Sequence, residues 1–287
     1  MSSSEHGLAM AAAGRVLDTG DRAPEVSGAG PRSGALESSR STAETPPAST
    51  SAQLIALFLR ELAGFFYSPM SYLAWTVFLV ASGYLFVTSL RDGGAASLSG
   101  TFLRMTTLLL FVTPLLTMRL VAEELRLGTL EVLMTDPVSE VVIILSKYAA
   151  ALVFLVCVIA PTVAYPFALA QLGQPDPGPV LAGYVGLFLL GSLFCAIGLC
   201  ASAVTSNQIA AAALAFTVLL LFWALGRAAD GMAPGSLREA LAYLSAFARY
   251  TAFRRGVVDT RSVIYCASLA AFFLFVASTA LGLRRLR

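Results

Sequence analysis

Long apolar stretches separated by short polar breaks make up most of the chain after residue 70. Because about 20 helical residues cross the hydrocarbon core of a bilayer, a stretch of that length predicts a membrane-spanning helix. The stretches of this kind are residues 72–90, 102–121, 141–167, 180–205, 208–226 and 263–283. The pattern therefore predicts an all-α integral membrane protein with six transmembrane helices. An even number of spans places both ends of the chain on one side of the membrane.

A shorter amphipathic segment precedes the first span. At helical spacing, Gln53, Arg60 and Gly64 fall on one side of residues 53–66. The other side carries Leu54, Ile55, Phe58, Leu62, Phe65 and Phe66. Such a segment suits a helix lying in the membrane interface. Pro69 cannot continue a helix and biases Ser68 away from helical geometry, so we expect the chain to turn into the bilayer there.

The chain divides into two parts by composition. Residues 1–50 are rich in Ser, Ala, Gly, Pro and Glu and hold almost no aromatic or β-branched residues. Because such a segment cannot bury enough apolar surface to offset the entropy of ordering, we predict a disordered tail. Residues 51–287 are predicted to form one membrane domain.

Small residues and prolines mark particular spans. The third stretch is long enough to need a tilt or a kink, which Pro161 and Pro166 can provide. The fourth stretch carries glycines that favour close helix packing in lipid, namely Gly183, Gly186, Gly191 and Gly198. In the second stretch, Thr106, Thr113 and Thr117 lie near Pro114 and are candidates for lining a pathway. The alternative is that these hydroxyls bond to carbonyls of their own helix and help it to tolerate the proline.

Two connections between spans are longer than the others. In residues 227–262, Ser236 and Glu239 form a capping-box signature, and Leu237, Leu241, Leu244 and Phe247 recur at helical spacing up to Gly256. This pattern predicts a second amphipathic helix, on the side opposite the termini.

The other long connection, residues 122–140, holds the densest charge of the membrane part. Glu123, Glu124 and Arg126 precede Gly128, which predicts a helix end, and Thr129 can cap a new short helix that stops at residues 136–137. A short amphipathic helix of this kind suits docking into a groove of a soluble partner. A merely solvated connecting loop would have the same composition, and this alternative stays open.

Composition and charge agree with a membrane protein. The chain is 57% hydrophobic and 13% charged with a mean hydropathy of +0.77, whereas an ordinary soluble domain is about a quarter charged. Cys157, Cys195, Cys200 and Cys266 lie in apolar stretches without paired spacing, which favours packing over a disulfide or metal site. Basic residues are scattered rather than clustered with aromatics, so no nucleic-acid partner is indicated.

The residue types needed for several chemistries are missing. A P-loop needs a lysine after a glycine-rich turn, but the single lysine, Lys147, follows Leu145 and Ser146. The single histidine, His6, lies in the predicted tail, which excludes Ser-His, HExxH and histidine-relay chemistry. A membrane enzyme with a Ser-Lys dyad at Lys147 remains a remote alternative. Because the spans hold almost no carboxylates, ion-coupled transport is disfavoured and the energy must come from outside the chain.

Four ordered motifs resemble those of one family. Residues 122–138, AEELRLGTLEVLMTDPV, are similar to the corresponding segment of ABC-2-type permeases, particularly the gliding-motility-type permease subunits. Three further motifs resemble the same family in the same order: residues 66–72 (FYSPMSY), 205–211 (TSNQIAA) and 255–265 (RGVVDTRSVIY). The resemblance covers residues 53–287 and does not extend to the tail.

The resemblance implies an ABC-2-type permease architecture with an N-terminal interfacial elbow helix in the cytoplasmic (inner) membrane. It implies that both termini, including the tail, are cytoplasmic. A coupling helix between the second and third spans would contact a separate ATPase subunit, which would bind ATP and Mg. On that resemblance the coupling residues are Glu123, Glu124, Arg126, Gly128, Thr129 and Glu131.

The function implied is movement of a substrate, in the export direction, through a pathway enclosed by two permease subunits that are identical or paralogous. The chain itself would bind no cofactor and carry out no catalysis. A non-transporting scaffold or anchor of an envelope or motility assembly is the alternative, because it could share all of these features.

Overall fold

The computed structural model describes residues 50–91, 98–128, 139–171, 173, 176–232, 235–247, 250, 253, 256 and 259–285. Regular structure in these residues is helical, with no strand in the described ranges. The helices are α1 (Thr50–Phe66), α2 (Pro69–Arg91), α3 (Ser99–Thr117), α4 (Ala122–Leu127), α5 (Glu140–Ile159), α6 (Ala164–Ala170), α7 (Pro177–Val204), α8 (Gln208–Asp230), α9 (Ser236–Leu244) and α10 (Thr260–Arg285). The predicted tail lies outside the described residues except for Thr50, so its disorder stays a prediction.

Six helical stretches are long and apolar enough to cross a membrane, as the sequence predicted. They are Pro69–Arg91, Ser99–Leu127, Glu140–Ala170, Pro177–Val204, Gln208–Ala229 and Thr260–Arg284. The predicted fold class is therefore confirmed. In the third stretch a 3-10 turn at Ala160–Val163 separates α5 from α6. It contains Pro161, which has no N–H to continue the α-helical ladder.

The fourth span, α7, lies at the centre of the packing, and α3, α5, α8 and α10 all contact it. Its glycines admit side chains from other elements. The Phe102 ring lies over Gly183, Tyr250 and Phe253 lie over Gly186, Leu155 lies over Gly191 and Thr117 lies against Gly198. The predicted close packing is confirmed, but side chains rather than facing backbones fill the space above the glycines.

The first helix packs on the third span. Its buried face carries Leu54, Leu57, Phe58, Leu62 and Phe65, and the Phe65 ring stacks on Phe154 at a centroid distance of 4.9 Å. Ile55 and Phe66, which share the predicted apolar face, are 55% and 37% exposed within the chain. The predicted position of this helix in the membrane interface stays a prediction. Glu61 lies on the side that faces α5, where its carboxylate meets Lys147.

The connection between α8 and α10 differs from the single amphipathic helix that was predicted. α9 ends at Leu244, and Ser245 takes an extended conformation while its buried hydroxyl donates to Phe222 O (3.3 Å). Tyr250 donates its hydroxyl to Gly183 O (3.3 Å) on α7. The capping box also does not form, because Gly235, which has no side chain, occupies the N-cap position and Ser236 is the first helical residue. Tertiary contacts with α7 and α8 thus override the helical periodicity.

Replacing Gly198 with Ala should destabilise the helix bundle, because the added Cβ would collide with the fully buried Thr117 side chain. Overpacking of this kind costs about 1–3 kcal/mol, which should lower the midpoint of thermal unfolding in detergent. Gly282→Ala is the matched control, since open space surrounds that position on α10. A second substitution, Thr117→Ala, should recover part of the loss. Equal midpoints for the two glycine variants would contradict the packing described here.

Candidate functional site

The helix of the second span breaks directly before the charged segment. α3 ends at Thr117, residues 118–121 form turns, and α4 begins at Ala122. The first N–H groups of a helix have no partner within it. Here the Ser202 hydroxyl of α7 accepts hydrogen bonds from Val121 N (3.0 Å) and Ala122 N (2.9 Å), and it donates to Met118 O (3.0 Å). The start of α4 is thereby fixed to the fourth span.

The end of α4 is set by a glycine. Gly128 has φ +70° and ψ 3°, a left-handed conformation that glycine adopts without the strain a Cβ would bring. The predicted helix end at this residue is confirmed. Thr129, Glu131 and the predicted short helix up to residues 136–137 lie outside the described residues and stay predictions.

A cluster of four charged side chains joins α1, α4 and α5. Lys147 of α5 is 1% exposed, and its Nζ lies 2.9 Å from Glu61 Oε1 and 2.9 Å from Glu124 Oε2. On the outer side of the cluster, Arg60 Nη2 lies 3.2 Å from Glu61 Oε1 and 3.1 Å from Glu124 Oε1. Two cations thus face two anions, and the cluster is formally neutral. We call these residues the ion cluster.

The ion cluster combines ion pairs with hydrogen bonds. Arg60 donates hydrogen bonds to both carboxylates, and Lys147 Nζ forms ion pairs with the same two groups. Taking charges out of water is costly, and pairing offsets that cost. Removing one partner of a buried pair typically costs about 3–5 kcal/mol, because it leaves the other charge uncompensated. The relative position of α1, α4 and α5 therefore depends mainly on the buried Lys147 and its two carboxylate partners.

Arg119 makes a second connection between this region and the first helix. Its guanidinium, in the turn between α3 and α4, donates to Ser68 Oγ, to Gly64 O (3.1 Å) and to Ser71 Oγ (3.4 Å). These acceptors lie at the end of α1 and at the start of α2. The turn where the first helix enters the bundle is thus bonded to the turn that precedes α4.

Two cavities flank α4. One, of about 430 Å³, lies between α4 and the end of α1 and is lined by Glu61, Gly64, Phe65, Tyr67, Ser68, Pro69, Arg119, Leu120, Glu123, Glu124 and Leu127. The other, of about 440 Å³, is lined by Arg126, Ser206, Asn207, Gln208 and Ile209. Glu123 therefore borders one cavity and Arg126 the other.

The structure separates the predicted coupling residues into two groups. Glu123, Glu124, Arg126 and Gly128 all lie on α4 or at its end. Glu124 pairs with Lys147 and Arg60 and also lines the first cavity beside Glu123, whereas Arg126 borders the second cavity. One sequence feature points to the ion cluster, namely an isolated lysine within an apolar span. No comparable sequence feature points to the role of Ser202 in holding α4.

The threonines of the second span are buried within the chain. Thr106 donates to Leu103 O (2.7 Å) and Thr117 donates to Thr113 O (2.9 Å), and the side chains of all three predicted residues are fully buried. Thr106 and Thr117 thus bond to carbonyls of their own helix, as the alternative interpretation predicted. The proposal that a pathway is lined by Thr106, Thr113 and Thr117 stays a prediction.

Residues next to Lys147 do not favour dyad chemistry. The Ser146 hydroxyl donates to Ile143 O (2.8 Å) within α5, and the Lys147 ammonium faces two carboxylates. A nucleophilic serine instead needs its hydroxyl within hydrogen-bond reach of the base.

Comparison with known families gives one match. The sequence model of the family described as ABC-2 family transporter protein matches residues 33–285, which is most of the chain. A search of curated proteins finds no match. The ABC-2-type resemblance of the motifs is confirmed by this match, while the narrower gliding-motility-type resemblance stays a prediction.

Replacing Ser202 with Ala should loosen α4, because it leaves the buried N–H groups of Val121 and Ala122 without their acceptor. An unsatisfied buried group costs about 1–3 kcal/mol. Hydrogen exchange measured by mass spectrometry should show faster exchange of the amides of residues 118–127. The matched control is Ser192→Ala on the same helix, whose hydroxyl donates within that helix to Leu189 O (2.7 Å). If both variants exchange alike in residues 118–127, Ser202 does not fix α4.

Proposed function

The chain belongs to the ABC-2 transporter family and is a multi-pass membrane permease of an ABC transporter, and on that premise we propose that it is an exporter subunit driven through α4 by a separate P-loop ATPase. ATP and Mg would bind to that partner, since the single lysine of this chain does not follow a glycine-rich turn. The substrate is not specified by this proposal.

The anchoring of α4 is the observation that carries the proposal. Ser202 ties the start of α4 to the fourth span, and Glu124 ties its middle to the third span and to α1. Because α4 is fixed to three elements, a displacement of α4 displaces them as well. A partner that contacts α4 differently in its two nucleotide states could thus shift the equilibrium between two arrangements of the spans.

The charges of α4 suit the contact with such a partner. Glu123 and Arg126 border different cavities. A protein surface that places a basic group at Glu123 and an acidic group at Arg126 would be complementary to them. The proposal therefore assigns Glu123 and Arg126 to recognition of the ATPase and Glu124 to attachment within the permease.

The remaining parts of the proposal concern assembly and membrane. The spans α2, α8 and α10 bury only 22%, 22% and 17% of their most apolar windows within the chain. These faces are available to lipid and to a second permease subunit, identical or paralogous, across the pathway. We place the protein in the cytoplasmic (inner) membrane with both termini cytoplasmic, so that α4 faces the compartment that holds ATP.

Purification from the native membrane in mild detergent, followed by mass spectrometry, tests this proposal. A P-loop ATPase should accompany the permease at near-equal stoichiometry. The charge reversal Glu123→Arg with Arg126→Glu should lower ATPase recovery at least about tenfold, which corresponds to about 1.4 kcal/mol of binding free energy.

The matched control reverses two exposed charges on α9, Arg238→Glu with Glu239→Arg, and should leave ATPase recovery unchanged. Repeated recovery of other envelope proteins without any ATPase would replace the transport proposal with the scaffold or anchor alternative.

A further inference from the structure

We propose that Lys147 is a positioning residue that holds α4 and α1 to the third span as one unit, so that motion of α4 is passed to that span. This inference rests on the proposed function, because it concerns how the permease responds to the ATPase. It assigns a role to a buried residue that would support α4 from within the chain.

The location of Lys147 makes a purely solubilising role untenable. It lies seven residues after Glu140, the first residue of α5, or about 10 Å along the helix axis. Its side chain is 1% exposed. A charge retained at such a place in an otherwise apolar span is a mark of function, since burial of a charge in lipid or in protein is costly.

The Lys147 ammonium contacts two helices, α1 and α4. Nζ lies at equal distances, 2.9 Å, from a carboxylate of α1 and a carboxylate of α4. Arg60 contacts the same two carboxylates, but its side chain is 55% exposed and lies on the outer side. Lys147 connects both carboxylates to the third span, so loss of its charge would leave α1 and α4 paired with each other through Arg60 but without this ionic link to α5.

The contacts between α1 and α5 that remain without Lys147 are largely apolar. α1 also packs on α5 through apolar and aromatic contacts such as the Phe65–Phe154 stack. Apolar contacts are non-directional and permit sliding or rotation. Buried ion pairs are poor stabilisers compared with apolar packing, but they specify which elements lie opposite one another. Lys147 therefore specifies where α1 and α4 lie relative to α5.

The interruption of the helix before α4 determines which elements a displacement of α4 can move. α4 does not continue the helix of α3, because residues 118–121 separate the two. A push on α4 can bend this turn instead of moving α3 as a rigid rod. The ion cluster and Ser202 then direct the displacement into α5 and α7.

Hydrogen exchange of the full-length chain in detergent tests the attachment without any partner. Lys147→Met keeps the side-chain length and removes the charge, and it should raise exchange of α1 and α4 amides at least about tenfold while the amides of α7 and α10 keep their rates. Lys147→Arg should stay closer to the unmodified protein than Lys147→Met does. Arg104→Met is the matched control, since Arg104 bonds α3 to Thr88 (3.2 Å) and Ser89 (3.1 Å) of α2 and its loss should not affect α4.

A triple variant separates positioning from stability. Lys147→Met with Glu61→Gln and Glu124→Gln removes the uncompensated buried carboxylates and should recover a thermal midpoint close to that of the unmodified protein. Exchange in α4 should nevertheless stay fast. Slow exchange in α4 of the triple variant would overturn the inference, because the ion cluster would then serve stability only.

The complex with the ATPase tests transmission. Addition of ATP and vanadate should change exchange in both α4 and α5 of the unmodified permease, but only in α4 of the triple variant. An α5 response in the triple variant equal to that of the unmodified protein would overturn the inference while leaving the proposed function intact. If no ATPase accompanies the unmodified permease, the proposed function fails, and the partner-free exchange measurement still decides whether Lys147 holds α4 and α1 to the third span.

Discussion

Backbone hydrogen bonding is the constraint on which the rest of this structure depends. Within a bilayer a polar backbone group without a partner costs several kcal/mol, so a helix can break only where something else accepts or donates in its place. At the break before α4, the hydroxyl of Ser202 supplies that replacement. At the third span a 3-10 turn accommodates Pro161. The hydrogen bonds of Ser202 allow the charged segment to leave the line of the second span.

A central helix with small residues makes the remaining architecture possible. Glycines along α7 let Phe102, Leu155 and Thr117 approach from neighbouring spans. The same helix carries Ser202 near its end, beside the start of α4. Packing and polar attachment thus converge on one span, whereas α2, α8 and α10 remain largely uncovered by the chain itself. The ion cluster adds the third span to this framework and makes α1 part of it.

Most of the fold was predictable because hydropathy and helix-ending residues are local signals. The six spans, the end of α1 before Ser68 and the end of α4 at Gly128 follow from residues close together in the sequence. The orientation of Glu124 did not follow, because its partner Lys147 lies on another helix. The ion pair of Glu61 with Lys147 did not follow for the same reason. The break at Ser245 depends on Phe222 of a neighbouring helix and was equally hidden.

The attachment of α4 by Ser202 has an evolutionary consequence. The hydroxyl is a side-chain group, but its three partners are backbone groups of residues 118, 121 and 122. Any residue other than proline offers the same N–H, so positions 121 and 122 can change identity within the limits of packing without losing the bond. Position 202 has no such freedom, since a small side chain with an oxygen must be kept. Among descendants of a common ancestor, selection would therefore retain the serine or exchange it for threonine, while its partners drift.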